Sequence, residues 1–147
     1  MFTRILVATD GSTLSKKAVS SAISLAAQNA AELVAVTVVP RYPKSYFDGS
    51  MTLSLDHIAS IEGEWKAKAQ AKLDQVSGLA KAAGVRIKTA TLTSDLVAET
   101  LIAAAKKYKC DLIVMASHGR KGIKRLLLGS ETQHVLTHSE LPVLVLR

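Results

Sequence analysis

At 147 residues the chain has the length of one domain, 1–147, long enough to bury a sizeable core without staples. A hydrophobic share of 48% excludes intrinsic disorder, and an aromatic share of only 4% requires an aliphatic core. The net charge of +7 points to anionic partners without naming them, and the one cysteine, Cys110, excludes an internal disulfide and a Cys-based zinc site.

The chain opens on a short apolar run, Arg4 to Thr9, that stops at the turn signal Asp10-Gly11-Ser12. Ala18, Ala22, Leu25 and Ala26 then recur at helical spacing. Leu33 to Val39 is β-branched and apolar and ends at Pro40. Residues 41–52 carry Pro43, Asp48, Gly49 and Ser50 and read as a loop, whose aromatic and basic stretch Arg41 to Phe47 suits a cover over a crevice or a dimer surface, with nucleic-acid contact as the alternative. Ile58, Ile61, Trp65, Ala69, Leu73, Val76, Ala80 and Ala83 mark a long helix, with Gly84 as its stop. Val85 to Ala90 reads as an edge strand. Asp95 is placed to cap a third helix, whose inner face is Val97, Leu101, Ala104 and Tyr108 or a register close to it. Asp111 to Ala116 is a strand apolar on both faces. Ser130 starts a fourth helix, with Ser130-Glu131-Thr132-Gln133 fitting a capping box. Pro142 to Leu146 closes the chain as a strand.

Strands alternating with helices predict an α/β fold: a single doubly wound, Rossmann-like parallel sheet of five strands with helices on both faces. The expected strand order is 3-2-1-4-5, with 2-1-3-4-5 as the alternative. In the first order the winding reverses between strands 1 and 4. Ligands of open α/β sheets bind at that crevice, outside the carboxyl ends of the strands. The segments meeting there are Thr9 to Ser12 and Ala116 to Gly119.

The longest apolar runs, such as 112–116, are five residues, against about 20 for a membrane span, so no membrane partner is expected. With no signal-peptide pattern either, the expected location is cytoplasmic.

Between the fourth strand and the last helix, Gly119, Gly122 and Gly129 accompany Arg120, Lys121, Lys124 and Arg125, with no acid between 117 and 130. Glycines let backbone N–H groups approach an anion, and a helix N-terminus adds unpaired donors and a positive dipole end. These are the parts of a phosphate cradle. Each also has a plain structural use: turns for the glycines, a cap for Ser130, an Asx-turn for Asp10. The pair His134 and His138 shares a helix face, but no H-E-x-x-H pattern surrounds it, and no metal site is expected. No Walker A loop, dinucleotide fingerprint or nucleophile elbow occurs, and no catalytic residue is assigned.

The residues Gly119, Arg120 to Leu128, Gly129 and Ser130 resemble the G-x2-G-x9-G-[ST] motif of the universal stress protein family. The opening Ile5 to Ser12, the run Leu126 to Ser130 and the ending Leu141 to Val145 are similar to it too. The family's first glycine falls here on Ala116, whose methyl is harmful if that position needs a left-handed backbone or if the ligand touches its Cα, and tolerable at an ordinary strand end.

The resemblance implies binding of ATP, ADP or AMP, with Mg2+ as an optional companion of ATP. Asp10 would hold the ribose or base, and Thr9, Val38 and Met115 would line the adenine pocket beside Ala116. Gly119, Gly129, Ser130 and Thr132 would meet ribose and phosphates, with His118 and Arg120 near enough to assist. It implies a stress-response regulator or sensor, with at most slow ATP hydrolysis or autophosphorylation, and a homodimer paired through strand 143–146. The alternatives are an interaction protein of the same fold that binds no nucleotide, and, less favoured, a nucleic-acid binder using the 120–125 basic patch.

Overall fold

The computed structural model describes residues 1–43, 55–119 and 128–147. Arg120, the basic patch 120–125 and most of the 41–52 loop lie outside the described residues. The elements in chain order are β1 (Arg4–Ala8), α1 (Thr13–Asn29), β2 (Glu32–Val39), α2 (Leu55–Ala82), β3 (Ile87–Thr93), α3 (Val97–Lys107), β4 (Leu112–Ala116), α4 (Ser130–His138) and β5 (Val143–Leu146). The sheet is parallel, in the expected order β3-β2-β1-β4-β5.

Strand periodicity divides the interior in two. Ile5 and Val7 of β1, with Leu33 and Ala35 of β2, pack under α1 and α2 against Ala18, Ala22, Ala26, Leu73 and Ala80. Leu6, Val34, Val36, Ile113 and Met115 face the other way and pack under α3 and α4 against Ala98, Leu101, Ala105 and Val135. The alanines of α1 let that helix lie close on the sheet. β1 sits centrally, paired to β2 and β4, and its middle residues are fully buried. That is why its sequence is a continuous apolar run rather than an alternation.

Several local expectations are corrected. Asp95 does not cap α3; its carboxylate accepts the Arg41 N–H at 3.0 Å, tying the end of β2 to the end of β3. The carboxylate at the N-terminus of α3 comes instead from α4, where Glu131 Oε2 accepts the Ala98 N–H at 2.8 Å. Ser130 is not the cap of α4 either. Gly129 holds that position in extended conformation, and among the described residues no side chain caps this end. The cause is the 2.7 Å bond from Gly129 N–H to the Ser117 carbonyl, which sets the helix start one residue early. β3 begins and ends later than the 85–90 reading. Its Thr89 and Thr91 face α2, where Gln70 bonds both, so the strand is held by polar contacts as well as apolar ones. On α2, Ile58, Ile61 and Trp65 are only half-buried; the packed stripe begins at Ala69.

Candidate functional site

The order β2-β1-β4 places the ends of β1 and β4 side by side, and the loops after them form the crevice. The β1–α1 loop is built from its own hydroxyls. Thr9 is buried: its Oγ1 accepts the Gly11 N–H at 3.3 Å and lies 3.2 Å from Ser15 Oγ, while its carbonyl accepts from Thr37 Oγ1 at 2.9 Å. Ser12 caps α1 by accepting the Ser15 N–H at 3.2 Å. Asp10 Oδ1 accepts the Ser12 N–H at 2.9 Å, so the Asx-turn is present. Gly11 takes φ +79°, which the turn requires and a side chain would resist.

Asp10 Oδ2 projects to the other rim. A β-carbon built on Gly119 would lie 2.7 Å from it, so the carboxylate rests on the bare Cα of that glycine. Gly129 is equally confined: a β-carbon there would come within 3.2 Å of both the Ser117 carbonyl and the His118 Cα. The two motif glycines that lie in the described residues are thus places of close approach, one to a carboxylate and one to backbone. His118 is half-buried between them, its Nδ1 3.2 Å from Ser117 Oγ.

Ala116 is the last residue of β4, paired with Leu146 of β5. It is absent from the positive-φ residues among those described. The position is an ordinary strand end, where alanine fits without strain. Its carbonyl accepts from Thr132 Oγ1 at 2.8 Å, and Thr132 is 2% exposed. Thr132 therefore fastens α4 to β4 from below; its hydroxyl proton is aimed at the strand and not at the crevice. Ser130 is exposed at the first helical position. The first-turn amides of Ser130, Glu131 and Thr132 have no intrahelical carbonyl to bond. With no side-chain cap and with Glu131 turned to α3, the positive end of α4 faces the crevice.

Met115 is buried in the layer under α3 and α4, and Val38 is half-buried at the end of β2 on the same side. Thr9, Asp10, Ala116, His118, Gly119, Gly129, Ser130 and Thr132 gather around the ends of β1 and β4, with Val38 one strand away. Sequence reasoning passed over Thr37 and Glu131. Thr37 is the one polar residue inside the run 33–39, a signal that its hydroxyl has a buried task. Glu131 carried no such signal, because its partner lies on another helix. Among the described residues no group of three or more His, Cys, Asp or Glu can hold a metal ion. No helix among them is long and apolar enough to cross a membrane.

The sequence profile described as "Universal stress protein family" matches residues 1–147. Universal stress protein MJ0531 of Methanocaldococcus jannaschii is 34% identical over 154 aligned residues, covering 100% of this chain and 83% of that protein. Among solved structures, universal stress protein UspA from Lactobacillus plantarum matches with a TM-score of 0.83 at 26% identity, over 99% of this chain and 97% of that one. A universal stress protein crystallised in complex with cAMP matches with a TM-score of 0.70 at 28% identity, over 99% and 97%. The end-to-end profile match and a relative above 30% identity agree with the motif and the strand order: this chain belongs to the universal stress protein family.

Proposed function

We propose that the chain binds an adenine nucleotide (ATP, ADP or AMP) in the crevice between the β1–α1 loop and the start of α4, and serves as a stress-response regulator or sensor. The observation that carries the reading is the placement of the Asp10 carboxylate against Gly119, across from the uncapped N-terminus of α4. A carboxylate suits ribose hydroxyls or the base, and a bare helix N-terminus suits phosphate. On this reading Thr9, Val38, Met115 and Ala116 shape the purine end. Gly119, Gly129 and Ser130 offer backbone and hydroxyl donors to the sugar and phosphates. His118 and Arg120 assist, Thr132 holds α4 in place, and Mg2+ accompanies ATP. The structural relative in complex with cAMP supports an adenine nucleotide as the ligand class. Among the described residues no nucleophile, base and orienter converge here, so occupancy rather than turnover is the signal, with slow hydrolysis or autophosphorylation as the ceiling.

A cytoplasmic homodimer goes with this role. β5 is an edge strand whose Leu144 is 39% exposed, and antiparallel pairing of 143–146 with a second copy would cover it.

The test is thermal unfolding with ATP, ADP and AMP in turn. A nucleotide at about 100 times its Kd stabilises by roughly 2.7 kcal/mol. For this size that is a Tm rise of roughly 5–10 °C. Asp10→Ala removes most of it. A second reading, an interaction protein with no nucleotide, is favoured by one fact: Asp10 already serves the turn that begins α1. No shift with any of the three at millimolar concentration selects that reading.

A further inference from the structure

A separate cavity of about 630 Å³ opens between α1 and α2, on the face of the sheet away from α3 and α4. This volume lies within the range of small-molecule pockets, roughly 300–1,000 Å³. Val19, Ile23, Val76 and Leu79 run along it, with Ser20, Ser24 and Gln75 among them; at the end made by Thr9 and Gly11 of the β1–α1 loop stand Lys16 and Lys72. Among the described residues, no carboxylate and no aromatic ring is part of the lining.

The cations are oddly placed for a merely solvated surface. Lys16 lies in the first turn of α1, a turn that holds no acidic residue, where the helix dipole disfavours positive charge. Lys72 reaches the same end from α2: its Nζ and Cδ come within 3.0 and 2.8 Å of where a β-carbon on Gly11 would stand. Neither lysine has a carboxylate partner among the described residues. Both lysines line the end of the groove beside the first turn of α1, which suits an anion. At the far end Leu79 is 60% exposed, an apolar side chain left in water beside the nearly buried Val76.

We propose that this groove is a second ligand site, taking an unbranched aliphatic carboxylate of medium chain length. The head group sits between Lys16 and Lys72, and the chain lies along Val19, Ile23, Val76 and Leu79. Charge at one end of the groove and apolar surface along the rest of it select an amphipathic monoanion. The groove meets the nucleotide crevice only at the β1–α1 loop, through Thr9 and Gly11, and its apolar length lies under α1 and α2, so either ligand can be present without the other.

Titration calorimetry of the full chain with hexanoate, octanoate and decanoate tests this, with decanol and inorganic phosphate as controls. Affinity rises by roughly fourfold per added methylene until the groove is filled. Decanol and phosphate bind at least tenfold more weakly than decanoate. Lys72→Gln weakens decanoate at least tenfold, and Leu79→Ser flattens the dependence on chain length. Both side chains border solvent, so the variants retain the fold, checked by circular dichroism. AMP added at saturation leaves decanoate binding in place. The proposal is overturned by absence of decanoate binding at millimolar concentration, by equal binding of decanol or phosphate, or by variants that match the unaltered chain. Self-association that buries Leu79 and excludes decanoate also overturns it.

Discussion

Asp10 Oδ2 lies 2.7 Å from the point that a β-carbon on Gly119 would occupy, so a side chain on β1–α1 and a bare backbone after β4 fit only together. The carboxylate is not at liberty to swing aside, because its Oδ1 holds the Ser12 N–H at 2.9 Å and with it the start of α1. Gly119→Ala is therefore predicted to displace the Asp10 carboxylate and weaken AMP binding at least tenfold. Asp10→Ala does the same through the same group. Calorimetry on the singles and the double variant checks this: the double loses no more than the worse single. Losses that add would show that the two residues act apart.

Thr132→Val keeps the shape of a buried side chain and removes its hydroxyl. The Ala116 carbonyl, buried beneath α4, then loses the donor 2.8 Å away. An unsatisfied buried acceptor costs about 1–3 kcal/mol. Urea unfolding measures the loss, and Thr132→Ser, which keeps the donor, recovers most of it. A Val variant as stable as the parent would show that this bond does not hold α4 to β4.

Much of this was legible in the sequence for a physical reason. The inner strands are apolar on both faces, so their runs and the helical spacing between them fix the α/β alternation, and handedness leaves few orders for the sheet. The site loops follow from that order. Side chains that bond outside their own element were not legible. Asp95 reads as a local cap because Asp before a helix usually is one, yet the Arg41 N–H, distant in sequence, takes its carboxylate. Ser130 reads as a cap because S-x-x-Q is a local pattern, and the bond from Gly129 to Ser117 overrides it. Whether Ala116 strains the backbone depended on its φ, which no composition reveals; its place in β4, outside the positive-φ residues described, answers that.

The opposite end of the sheet predicts the acid limb of stability. Burial pushes the Asp111 carboxyl up. The backbone N–H groups of Thr3 and Arg4 and the Thr3 hydroxyl pull it down and prevail, leaving it below its ordinary 3.8. A depressed folded-state value means stability that is present above pH 3.8 and lost as pH falls through the lowered value. Asp111→Asn is expected to be less stable than the parent at neutral pH. The gap closes in acid, as followed by urea unfolding at a series of pH values. A gap that stays constant with pH would remove this carboxylate from the acid response.

Cys110 behaves in the opposite sense. Burial pushes its thiol from 9.0 to about 11, and the nearby Arg4 does not offset this. At pH 8 that is about a hundredfold less thiolate than for an ordinary cysteine. Native protein is expected to resist iodoacetamide at pH 8 and to label promptly in urea. The raised value also means that the buried neutral thiol stabilises the fold fully below pH 9.0 and that this contribution fades as pH rises through about 11. Rapid labelling without denaturant would show that the thiol is open to solvent.

Trp65 is the only tryptophan in the chain, and its indole stacks on Tyr42 with ring centroids 6.2 Å apart. Tyr42 follows β2, and its N–H is held by Glu62 of α2 at 3.2 Å. The molecule thus carries a built-in fluorophore at the junction of β2 and α2, with a phenol close enough to pass it excitation energy. Any rearrangement that lifts this junction changes the emission colour and the phenol-to-indole transfer together, which gives an optical gauge of the fold without a label.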